Sequence, residues 1–254
     1  MWNTLIIEPM VNALLWIYSL VGNFGIAIIL FTILIRLITH PLTASQVKST
    51  AKMTELQRSK QWQDIQKKYK DDKNKLAQEQ MALYKELGIN PMGSCLPMLI
   101  QFPIIIGLYQ AVTRAMAASP FQLLDLTKFI YPFINASELI PLKSQFLWMN
   151  MGQPERLYIF GVGIPVLTIL VVVTTYLQSK LMTPPPAGPS DQAAQMGKMM
   201  NLYMPLLMGY FAFTLNAGLA LYFVVSNLVG IAQYAFLGKL NWRNILPKKK
   251  EPAK

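Results

Sequence analysis

Among the residues able to do chemistry, one cation stands apart. Arg36 sits inside the apolar run ILFTILIRLITHPL, residues 29–42. An arginine at the centre of a membrane helix costs about 2.5–3.5 kcal/mol on insertion scales, so a sequence that keeps one must offset the cost or use the charge. Thr32, Thr39, His40 and Thr43 fall at −4, +3, +4 and +7 from it, which places all five on one helical stripe. Gly25 extends that stripe with a small residue, and Ile33, Leu34, Leu37 and Ile38 take the opposite face. The chemistry such a stripe offers is electrostatic: a fixed charge where the dielectric is low. Covalent chemistry finds little support. His40 is the sole histidine and Cys95 the sole cysteine, which argues against a Ser-His-Asp triad, a metal cluster and an intrachain disulfide. There is no Walker loop, GxGxxG or HExxH motif. No cofactor is expected.

Other apolar runs carry polar residues at helical spacing. Tyr222, Ser226 and Gln233 share a face near the C-terminus; Thr168, Thr175 and Gln178 lie in another run; Gln101, Tyr109 and Gln110 lie in a third. Each set alone fits interhelical hydrogen bonding. Together with a cation they suggest walls of one wet cavity. For Arg36 two readings stay open on the residues alone. It snorkels to headgroups about six residues away, roughly 9 Å at helical rise, or it faces inward into water.

The elements that must position these residues follow from composition. The chain has 254 residues, 53% hydrophobic and 14% charged, with net charge +11. This is a polytopic membrane protein with a soluble insert. Five spans are expected, at 20–42, 96–117, 157–182, 200–216 and 217–238, the last two separated by a turn near Asn216-Ala217-Gly218. Residues 1–19 read as an interfacial helix, with Trp16 and Tyr18 at headgroup level. Residues 43–95 should form two charged helices broken at KDDKNK, an αα-hairpin. Residues 118–156 are a charge-balanced outer loop, 183–199 a Pro-rich linker and 239–254 a basic tail. Eighteen Lys and Arg fall on the hairpin, linker and tail side against four on the other, which puts the N-terminus outside and the C-terminus in the cytosol. No Asp or Glu falls within the five spans, and no inverted repeat is evident, which argues against a proton-driven transporter. A transporter or channel, and a structural assembly partner, are the competing classes.

The segments IRLITHPLTASQ, AKMTELQ, QEQMALYKELGINPMGSCLPMLIQFPIIIGLYQAV and GLALYFVVSNLVGIAQ resemble the YidC/Oxa/Alb family of membrane protein insertases, over residues of about 20 to 240. The resemblance implies an all-α core of five transmembrane helices plus a cytosolic helical hairpin. It further implies a hydrophilic groove open to cytosol and lipid, with Arg36 and Thr32 in it. Gln178 matches a polar groove position, and Tyr222-Phe223 match aromatics that contact substrate. With Ser226 from the polar face, these six are the candidate substrate-binding residues. The implied partners are nascent membrane proteins, the lipid bilayer, the ribosome and the Sec translocon, in a bacterial plasma membrane. Neither enzymatic activity nor specific nucleic-acid binding is expected. A large extracytosolic domain and a long basic tail, present in some members, are not seen in this sequence.

Overall fold

The computed structural model describes residues 1–70, 72–89, 96–116, 119–132, 134, 139, 142–182, 192–238 and 240. A turn of π-helix over Asn3–Ile7 leads into α1, Glu8–Val21. Pro9 sits in the first turn, where its missing N–H is no loss, and Gly22 at φ 66° stops the helix in the left-handed conformation. Val11, Leu14 and Leu15 are fully buried against α2 and α6. Asn12 Nδ2 donates to the Phe129 carbonyl at 2.6 Å, Asn12 Oδ1 accepts from Tyr131 N at 2.7 Å, and the Tyr18 hydroxyl accepts from Lys143 N at 3.0 Å. The segment expected as an interfacial helix over 1–19 thus lies in a helix, Asn3–Val21, that shares the main core and is sewn to the loop at Phe129, Tyr131 and Lys143. The combined helix, Asn3–Val21, has the length and apolarity of a span, and it includes Glu8.

The segment expected as one span over 20–42 is interrupted twice. Gly22-Asn23 separates α1 from α2, Phe24–Ile38, which Asn23 caps by accepting from Ile26 N at 3.2 Å. At Thr39 the chain bends by 57° into α3, His40–Arg58. Pro41 cannot donate to the Leu37 carbonyl, and Thr39 Oγ1 bonds back to the Ile35 carbonyl at 2.8 Å; both features bend helices.

The charged insert contains three helices where the sequence suggested two: α3, α4 (Lys60–Lys68) and α5 (Lys73–Glu86). Ser59 adopts an extended conformation and caps α4 through Trp62 N, which divides the first expected helix. Asp72, within KDDKNK, caps α5 through Asn74 N and Lys75 N. Leu56, Trp62, Leu83 and Tyr84 form a small core of their own, with the Trp62 and Tyr84 rings 5.3 Å apart.

α6 (Leu96–Ala115) contains Pro103, and the short α7 (Pro120–Thr127) starts at a capping box made by Ser119 and Gln122. Two antiparallel hairpins follow: β1 (Gln145–Phe146) with β2 (Met149–Asn150), and β3 (Leu157–Ile159) with β4 (Val162–Ile164). The second replaces the start of the span expected over 157–182. Gly161, Gly163 and Pro165 disfavour helix there, so α8 runs only over Val166–Met182. Leu147 and Phe160 at the hairpin turns have φ of 55° and 51°. Left-handed backbone costs an L-residue with a side chain about 1–2 kcal/mol.

α9 (Gln192–Thr214) and α10 (Ala217–Phe236) meet at the expected turn, where Asn216 caps α10 through Leu219 N and donates to Thr113 Oγ1 of α6 at 3.3 Å. α10 is the central helix and packs on α2, α6, α8 and α9. The loop closes its N-terminus: Ala217 N donates to the Gln153 carbonyl at 2.8 Å and Gly218 N to that of Met151 at 3.0 Å. Glu155 does the same for α8, accepting from Leu167 N at 2.9 Å with one oxygen and from Trp148 Nε1 at 2.8 Å with the other. Among the described residues two helices, Asn3–Val21 and Ala217–Phe236, are long and apolar enough to cross a membrane, or three if the bent α2–α3 pair is one span. Val166–Met182 and Leu202–Thr214 are shorter apolar helices. The linker residues 183–191, the NPMGSC block and nearly all of the basic tail fall outside the described residues.

Candidate functional site around Arg36

Arg36 lies on the last turn of α2 and reaches across to α10. Its Nε donates to Ser226 Oγ at 2.9 Å and its Nη2 to the same oxygen at 2.6 Å. Two turns further along α10, Gln233 Nε2 donates to the Arg36 backbone carbonyl at 2.9 Å. The residue is therefore held at both ends by one helix. The bend after Ile38 lets this carbonyl face α10, so the kink and the anchoring of the charge are one feature.

Two other helices complete the site. A Cβ placed on Gly230 would lie 2.7 Å from Gln178 Nε2 and 3.7 Å from Arg36 Nη1. The missing side chain lets Gln178 of α8 and Arg36 of α2 close onto α10 from two directions. One turn before Ser226, the Tyr222 hydroxyl accepts from Gln101 Nε2 of α6 at 2.6 Å. Asn227 Nδ2 bridges to Thr174 Oγ1 at 3.0 Å and Thr175 Oγ1 at 2.8 Å, fastening α8 beside α10. Buried polar groups at these depths need such partners, since hydrocarbon supplies none.

The electrostatics are one-sided. Among the described residues no carboxylate pairs with Arg36; its side-chain partner is a neutral hydroxyl. Ser226 satisfies hydrogen-bonding capacity without cancelling the charge, so the guanidinium keeps its attraction for an anionic group. The cluster of Arg, Ser, Gln and Tyr offers polar recognition and no paired base and nucleophile.

The structure brings together Arg36, Ser226, Gln178 and Tyr222. Thr32, one turn before Arg36 on α2, is fully buried and its hydroxyl donates to the Ile28 carbonyl at 2.6 Å. Thr43 likewise bonds back to the Thr39 carbonyl at 3.1 Å. The threonine hydroxyls of the stripe are thus largely taken up by their own backbone, and Arg36 is the member that crosses to another helix among the described residues. Phe223 sits in the apolar core with its ring 5.7 Å from that of Tyr222. Gly230 and Asn227 were not singled out by sequence reasoning. The available signal was the Ser226-Asn227 dipeptide within a mostly apolar helix, followed one turn later by glycine.

Residues 16–243 match the family model described as the 60Kd inner membrane protein. The chain is 37% identical over 237 residues to the membrane protein insertase MisCA of Bacillus subtilis, covering 91% of this chain and 77% of that protein. It is 37% identical to the membrane protein insertase YidC of Fusobacterium nucleatum, covering 86% of this chain and 88% of the relative. Against YidC of Syntrophobacter fumaroxidans identity is 34%, and the chain spans only 38% of that longer protein. A solved structure of an active YidC insertase with its first transmembrane domain resolved superposes with a TM-score of 0.56 at 26% identity, over 91% of this chain and 46% of the other. The chain belongs to the YidC/Oxa family of membrane protein insertases.

Proposed function

We propose that this protein inserts nascent membrane proteins into the bilayer and helps them fold, through a lipid-open hydrophilic groove in which Arg36 is the fixed charge. The observation that carries the reading is the unneutralised Arg36, anchored to α10 at Ser226 and Gln233 among apolar helices. The names of the relatives, membrane protein insertases, support it.

In this reading five spans cross the membrane (α2, α6, α8, α9 and α10), with the N-terminal helix at the outer interface and the C-terminus in the cytosol. A nascent chain reaches α3–α5 from the ribosome, with or without the Sec translocon. Its hydrophilic segment enters beside Arg36, Gln178, Tyr222 and Ser226, and acidic residues are drawn to the guanidinium. The apolar segment moves along the lipid-facing side. Its transfer from water supplies the drive, about 25 cal/mol per Å² of apolar surface, and no nucleotide is needed. The polar cluster shortens the hydrocarbon path that the hydrophilic part must cross.

The test is insertion by purified, reconstituted protein of a single-span substrate with an acidic outer tail. Arg36→Ala should lose most of the insertion, and Arg36→Lys should retain part of it, since Lys keeps the charge and loses the guanidinium fork. Normal insertion by Arg36→Ala would overturn the electrostatic role.

A further inference from the structure

The two hairpins present large apolar side chains where turn chemistry does not ask for them. In the β3–β4 turn, Phe160 and Gly161 have φ of 51° and 82°. Two-residue hairpin turns with both central residues at positive φ favour Asn-Gly, because Asn tolerates the left-handed region and Phe does not. Here the first position holds a phenylalanine with its side chain wholly outside the protein, at 102% exposure. Its neighbours Tyr158 and Val162 are also exposed, at 71% and 64%. The β1–β2 turn repeats the pattern with Leu147 at φ 55° and 71% exposed. An apolar residue held in an unfavourable conformation and left outside the fold is the kind of local conflict that marks a functional surface.

The position of the tip says what it meets. Pro165 joins β4 directly to α8, whose Ile169, Leu170 and Val173 are exposed and apolar. Exposed apolar residues therefore occur both on α8 and on the hairpin that leads directly into it. Arg156, at the foot of β3, lies with its guanidinium 4.7 Å from the centroid of Phe213 near the end of α9. That sets a cation on an aromatic ring beside the hairpin, a composition suited to a headgroup boundary. Glu155 and the Gln153 and Met151 carbonyls fix the segment before β3 to the N-termini of α8 and α10.

We propose that the β3–β4 hairpin is a lipid anchor: Phe160, Tyr158 and Val162 enter the interfacial region of the leaflet at the N-terminal end of α8, with Arg156 at phosphate level. The anchor holds the loop at a fixed depth beside α8. The occupant is the bilayer itself, in continuity with the apolar flank of that helix.

The experiment uses the full chain with Cys95→Ser, reconstituted in vesicles of phosphatidylglycerol and phosphatidylcholine, with a nitroxide on Phe160→Cys or Tyr158→Cys. Collision with oxygen is compared with collision with a water-soluble nickel chelate. Val173→Cys serves as the lipid reference and exposed Lys67→Cys as the water reference. The anchor predicts oxygen over nickel at both hairpin positions by several-fold, as at 173. A ratio like that at 67 places the tip in water and overturns the proposal; protection from both reagents places it against protein and also overturns it. Phe160→Asn suits the turn better and should fold. In that background the label at Tyr158→Cys should move at least twofold toward the water reference, and no shift would remove Phe160 from the anchor. Insertion activity is a separate readout, so loss of the lipid anchor and loss of the insertase reading are distinguishable.

Discussion

Arg36 and Ser226 are 190 residues apart in the chain and meet through two hydrogen bonds, 2.9 Å and 2.6 Å, onto a single hydroxyl oxygen. A neutral acceptor in place of a carboxylate is the informative part. It fixes where the guanidinium points and leaves its charge available.

Removing that acceptor should loosen the site. Ser226→Ala leaves the buried arm of Arg36 without its side-chain partner, and an unsatisfied buried group costs about 1–3 kcal/mol, more when charged. Thermal unfolding in detergent should show a lowered midpoint for Ser226→Ala, and much less of a further drop when Ser226→Ala is added to Arg36→Met. Additive losses would mean that the two residues do not act as a pair.

The glycines of α2 and α10 should differ in what they tolerate. A Cβ at Gly25 would overlap the base of the Phe146 ring, and one at Gly218 would lie 2.9 Å from Ile28 Cδ1 and 3.3 Å from the Met151 carbonyl. Gly25→Ala and Gly218→Ala should destabilise by about 1–3 kcal/mol through overpacking. Gly230→Ala clashes only with the flexible end of Gln178, its contact with Arg36 being an ordinary 3.7 Å, so its melting midpoint should stay near wild type while the Gln178 amide shifts away from α10. Equal losses at all three positions would contradict this ordering.

Glu155 joins the segment before β3 to α8. Glu155→Ala strands the buried Leu167 N, at about 1–3 kcal/mol, and frees Trp148 Nε1, which adds little because that residue is half exposed. Glu155→Gln keeps one acceptor and should fall between. Hydrogen exchange at the first turn of α8 should rise in the same order.

The α8–α10 contact at Asn227 should contribute less. Hydrogen bonds between membrane helices average about 0.6 kcal/mol, with about 1.7 kcal/mol at the upper end. Asn227→Leu should therefore give a small shift in denaturant midpoint, and a loss above about 3 kcal/mol would show that Asn227 does more than join Thr174 and Thr175.

The insert should unfold independently of the rest. Trp62→Ala removes the largest member of a four-residue core, and such truncations cost about 3–5 kcal/mol. Limited proteolysis should then cut near Ser59 and Tyr69–Asp72 while α2, α8 and α10 stay protected. Protection unchanged in the insert would show that neighbouring segments hold it.

Local pattern made much of this protein legible in advance. The apolar runs, the charged insert and the turn at Asn216 follow from hydropathy, charge alternation and a capping residue, all of which act over a few positions. Arg36 and the faces bearing Ser226 and Gln178 were legible too, because helical spacing alone sorts polar from apolar sides. The tertiary structure decided which polar groups are spoken for. Thr32 and Thr43 turn out to bond their own backbones, as any Ser or Thr in a helix can, and no spacing rule separates that from an outward role. It also decided that residues 157–164 leave the helix for a hairpin. An apolar run is equally compatible with helix and strand until Gly161, Gly163 and Pro165 are weighed against it. The role of Gly230 depended on two side chains arriving from helices 52 and 194 positions away, and only packing brings them there. Sequence fixes the period of each face; the choice of partner for each face is a long-range contact, and it is made when the helices close around α10.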